Sequence, residues 1–168
     1  MTAPIDDAFV ARVRAALAGQ IRSIASEAGG DDAWRGLQHR HLAERIKALV
    51  AATHRVNDPD GSLSGLGPLD LALRLTVRLA ELQGPSGLFT GGDNVDSPPD
   101  SAFSVNDLAD ALLLLRRAQT VSAGRQALAE ALERLLSDAT PALAGGGVHT
   151  PNHRWELSAA LARLFLVS

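Results

Sequence analysis

The sequence predicts an all-α chain, and three observations carry that reading. Ala and Leu dominate an apolar content of 46%, whereas aromatic residues make up only 4%. Ala and Leu lose little on entering a helix, while strands favour β-branched and aromatic side chains. Apolar residues recur with a 3.6-residue period, and no segment sustains period-two alternation. The 168 residues suffice for a single domain with a sizeable core.

Six helical segments follow from the periodicity. The first is expected from Asp6 to Glu27, with Phe9, Val13, Leu17, Ile21 and Ile24 on one stripe and Gly29-Gly30 as its stop. The second is expected from Asp32 to His54, with Leu42, Ile46, Leu49 and Val50 facing inward. The turn-rich, linker-like stretch 57–67 then interrupts the chain. Pro68 suits the first position of a third helix, ending near Gln83. A fourth spans Ser101 to Ala118. Its LADALLLL run is nearly apolar all round, which calls for deep burial. The fifth spans Gly124 to Ala144, and the sixth runs from Pro151 to the end. Between helices three and four, the long loop 84–100 has no element of its own. Its Leu88, Phe89 and Val95, with the stiff Pro98-Pro99 pair, predict a packed loop.

Composition narrows the function classes. A formal charge of −3 and the lack of a basic run give no reason to expect nucleic acid. Without cysteine there are no disulfides or thiolate metal sites. The start, MTAPIDDAFVARV, lacks the features of a secretory signal, and no stretch is long and apolar enough to span a bilayer. A soluble, cytoplasmic domain is the expectation. The five histidines form no metal-binding pattern: His39 and His41 fall on different faces of a helix, and Pro151 separates His149 from His153. No metal or other cofactor is expected.

If six helices alternate in direction, the starts of the second, fourth and sixth share one end. They carry Asp31-Asp32-Ala33-Trp34, the Asp93 to Asp100 loop, and the stretch His149 to Trp155. Both tryptophans and the densest polar clusters therefore gather there. At the sixth helix, Thr150 fits the N-cap and Pro151 the first position. Asn152 and His153 then sit near free N–H groups at the positive end of the helix dipole, a setting that attracts anions and favours a neutral imidazole. The same pattern also describes an ordinary capped helix start with Trp155 in the core. In the loop, Asp93, Asn94, Asp96 and Asp100 offer groups for acid–base work or for gripping sugar hydroxyls; equally, they are turn formers and caps, with Asp100 or Ser101 capping helix four. Asn106 and Asp110 lie four apart on the most apolar helix, where they either tie helices together or line a cavity.

GGDNVDSPPDSAFSVNDLADALLLL and GGGVHTPNHRWELSAALA together resemble the N-terminal helical portion of (α/α) toroid polysaccharide lyases of the heparinase II/III and alginate-lyase kind. The resemblance covers mainly Leu88 to Leu164, and its most specific part is the Asn-His-x-Trp match at Asn152, His153 and Trp155. It implies antiparallel helical hairpins forming about half of a toroid, with an acidic poly- or oligosaccharide lying across one end. It also implies β-elimination at a uronate, with Asn152 and His153 as the catalytic pair. His149, Arg154, Trp155 and Trp34 would be substrate contacts, joined by Asp93, Asn94, Asp96 and Asp100. Such lyases use a tyrosine as acid or base, and this sequence contains none. A reduced or partial relative with weak turnover is therefore expected. Two rivals stand beside this reading. One is a six-hairpin glycoside hydrolase that uses the loop aspartates. The other is a non-enzymatic scaffold whose exposed apolar helix edge binds a partner or a second copy.

Overall fold

The computed structural model describes residues 6–29, 33–55, 67–91, 95–118, 122–147 and 150–168, without the side chains of 54 and 55. Among these residues the chain is all-α. Six helices follow one another: α1 (Asp7–Glu27), α2 (His39–Arg55), α3 (Pro68–Ala80), α4 (Pro98–Arg117), α5 (Ala123–Gly145) and α6 (Pro151–Val167). The described residues include no β-strand; Gln83 and Phe89 form an isolated antiparallel bridge. No helix among the described residues is long and apolar enough to cross a membrane.

Two helix starts differ from the sequence expectation. Residues 33–36 form turns rather than the first coil of α2, and Trp34 takes a left-handed φ of 64° that a helix cannot contain. α4 begins earlier than expected, because Pro98 and Pro99 occupy its first two positions, where their missing N–H groups cost nothing. Its cap is Ser97, whose hydroxyl accepts from the Asp100 N–H at 3.3 Å, so neither Asp100 nor Ser101 caps the helix.

Cross-helix pairs set the layout. His39 pairs with Asp100 and Ser104, and further along both helices Lys47 pairs with Asp107. Asn106 meets Glu156, Asp110 meets Arg163, and Arg116 reaches the Val167 carbonyl at 2.5 Å. Both series ascend together, so α2, α4 and α6 run parallel, side by side, with their starts at one end. α3 packs on α2 and α5, and α5 also packs on α4. The result is two layers of helical hairpins. α4 lies at the centre, as its apolar surround requires, with Leu108 and Leu112 fully buried. Each such leucine contributes about 2 kcal/mol by leaving water.

α1 departs from its expected stripe. Ile21 and Ile24 are buried, but Phe9 is 53% exposed and Val13 is also exposed. Only the second half of α1 docks on the rest of the chain. The loop after α3 is packed, with Leu88 and Phe89 buried, although Val95 faces water. Gly87 holds that loop against α5 with a φ of 83°, and a Cβ there would fall 1.8 Å from the Asp138 carbonyl oxygen.

Candidate functional site

The shared end of α2, α4 and α6 contains two polar clusters of opposite character. The first joins the starts of α2 and α4. His39 is 1% exposed and uses both ring nitrogens, Nδ1 with Ser104 Oγ at 2.7 Å and Nε2 with Asp100 Oδ2 at 2.9 Å. Arg40 pairs with the other carboxylate oxygen of Asp100. Phe89 stacks on the imidazole with ring centroids 5.7 Å apart, and its N–H donates to Ser101 Oγ at 2.9 Å. Burial, followed by the positive charge of Arg40 and then His41, pushes the His39 pKa down to about 4. The ring is therefore neutral at pH 7, and its partners fix the tautomer. Asp100 is acceptor-only, so Nε2–H donates to it and Nδ1 accepts the Ser104 hydroxyl proton.

A serine, a neutral histidine and an aspartate in a hydrogen-bonded row resemble a nucleophile arrangement, but Ser104 is completely buried. No substrate carbonyl reaches it, and the Arg40 ion pair offsets the Asp100 charge. The cluster ties α2 to α4. Asp100 stood out in the sequence as a candidate; its histidine partner, 61 residues away, did not.

A second tie joins α4 to α6 and answers the question posed by Asn106 and Asp110. The Asn106 amide donates to Glu156 Oε2 at 2.8 Å and accepts from Arg163 Nη1 at 3.1 Å. Arg163 Nε donates to Asp110 Oδ1 at 2.8 Å. Both residues serve helix pairing, and Asp110 also lines a cavity between α1, α2 and α4. Across the layer, Glu156 raises the Arg40 pKa against a larger lowering by burial.

The start of α6 is the open cluster. Thr150 adopts N-cap geometry, but its side chain makes no cap hydrogen bond; its hydroxyl instead donates to Asn152 Oδ1 at 2.6 Å. Asn152 and Arg154 are exposed, and Trp155 is 80% exposed, not part of the core. The His153 ring is half-buried, with Nδ1 enclosed and without a hydrogen-bond partner among the described residues.

The remaining candidates are dispersed. Asp96, with a left-handed φ of 50°, accepts from Ser86 Oγ at 2.5 Å and shapes the loop. Trp34 is 7% exposed and lies under Arg74 of α3, so it forms no common wall with Trp155. Asp93, Asn94 and His149 lie outside the described residues. Among those described, no group of three or more His, Asp or Glu side chains is placed to hold a metal ion. Compared with known proteins, the chain matches no family model, no curated protein and no solved structure.

Proposed function

We propose that the start of α6 binds an acidic, uronate-containing polysaccharide, in the manner of the helical half of a lyase-like (α/α) toroid. One observation carries this reading: Trp155 keeps 80% of its surface in water beside side chains with unused donors. Asn152 is one helical turn before Trp155, which puts its amide on the same face. Its oxygen is taken by Thr150, and its NH₂ has no partner among the described residues. A pyranose ring stacks on the indole, while Asn152, Arg154 and the positive end of the helix attract the uronate carboxylate.

In the elimination reading, Asn152 stabilises the enolate that develops when His153 removes the C5 proton. The C4–O bond then breaks, and its oxygen needs a proton for which this chain has no tyrosine. Binding without efficient turnover is the expected behaviour. The hydrolase alternative is weaker, because Asp100 is buried in an ion pair and Asp96 is engaged by Ser86. A scaffold role has one observation in its favour: Phe165 and Leu166 form an exposed apolar patch near the other end of α6.

Calorimetric titration with an oligouronate tests the proposal. Saturable binding is expected, lost in Trp155→Ala and absent with a neutral oligosaccharide of equal length. Equal binding by Trp155→Ala would reject the site. Rapid formation of unsaturated, ultraviolet-absorbing product would reject weak turnover.

A further inference from the structure

A cavity lies beside the other tryptophan, and no residue of α6 lines it. Residues 33–36 turn tightly ahead of α2 and lie against the last turns of α3. Between them is a cavity of about 200 Å³ lined by Ala33, Trp34, Arg35, Arg74, Arg78 and Glu81, among others. Trp34 is 93% buried, yet its Nε1 has no hydrogen-bond partner among the described residues. Arg78 spends Nη1 on Glu81 and Nη2 on the Arg35 carbonyl at 3.0 Å, leaving its buried Nε without a partner. The Arg74 guanidinium sits 5.4 Å from the Trp34 ring centre.

The chemistry of these vacancies selects the ligand. Indole N–H and guanidinium N–H groups donate and never accept, so the missing partner must bring acceptors. Buried polar groups are normally paired, and two orphan donors beside one cavity mark a place where a ligand completes the bonding. Among the described residues, Arg74 and Arg78 bring two guanidinium groups to this cavity against the single carboxylate of Glu81, so a ligand that completes these donors is an anion. Arginine forks suit an oxyanion with several acceptor oxygens. The left-handed backbone at Trp34 adds a constraint common at ligand clamps.

We propose that Trp34, Arg74 and Arg78 bind a phosphate or sulfate group, either free or esterified on a small molecule. This site is independent of the polysaccharide reading, and the two tryptophans report on them separately. The test follows both indole N–H resonances of the full chain during titration with inorganic phosphate, with sulfate and with a hexose phosphate, at constant ionic strength. A saturable shift of the Trp34 resonance is expected, with Trp155 unmoved. Arg74 is exposed, so Arg74→Gln keeps the fold, which an unchanged Trp155 resonance verifies; it should weaken binding at least tenfold. Response to the inorganic ions identifies a free oxyanion as sufficient, and response to the hexose phosphate alone identifies an esterified one. No saturable Trp34 shift with any of the three, or an unaltered affinity in Arg74→Gln, would overturn the proposal.

Discussion

The two polar clusters at the shared end of the helices make an informative pair. At the α2–α4 junction, His39, Asp100 and Ser104 are buried and mutually satisfied, with Arg40 closing the carboxylate. At the start of α6, the Thr150 side chain makes no cap hydrogen bond, Asn152 and Arg154 are exposed, and Trp155 faces water. The first arrangement costs stability when broken and offers nothing to a ligand. The second contributes little to stability and has unused bonding capacity. Residue types that look equally catalytic in a sequence are thus separated by whether the fold consumes their hydrogen bonds.

Substitutions can break this contrast, and the largest effect is expected at Asp100. Asp100→Ala leaves His39 without its acceptor and Arg40 without its counter-charge, and should cost about 3 kcal/mol in urea unfolding. The next largest effect is on pH dependence. His39 is held neutral, with its pKa lowered to about 4, whereas in the unfolded chain it titrates near 6.5. The unfolded state therefore binds more protons between these values. The stabilising contribution is complete above pH 6.5 and is lost as the pH falls towards 4, by up to about 1.4 kcal/mol per pH unit. Urea midpoints at pH 7.5 and 5 should differ strongly in the natural chain and much less in His39→Gln; an equal difference would contradict a buried neutral imidazole.

A smaller loss is expected from Gly91→Ala. Its Cβ would come within 2.9 Å of His39 Cδ2, a clash that should cost about 1–2 kcal/mol as the ring is displaced. Thermal unfolding measures it. The smallest stability effects belong to α6: Asn152→Ala and Trp155→Ala should each change stability by less than about 0.5 kcal/mol while removing oligouronate binding. A large stability loss in either would mean that the fold uses these side chains after all.

The helices were legible because their apolar periods are strong. Leu42, Ile46, Leu49 and Val50 are all fully buried, as their spacing requires. Helix ends were less legible: the left-handed Trp34 and the Pro98-Pro99 pair moved two starts in opposite directions. Alternation of direction correctly brought three helix starts to one end, yet it did not reveal which polar side chains each start would consume. That depends on pairings such as His39 with Ser104, 65 residues apart, which no local pattern encodes. Trp34 and Trp155 were equivalent in the sequence; burial under Arg74 separates the first from the exposed second.

The most direct test of the central claim uses the two tryptophans as paired reporters. In a titration of the natural chain with an oligouronate, the Trp155 indole resonance should shift saturably, and the buried Trp34 resonance should stay in place. A Trp155 resonance that does not move at saturating oligouronate would contradict the claim that the open start of α6 is a site for an acidic sugar.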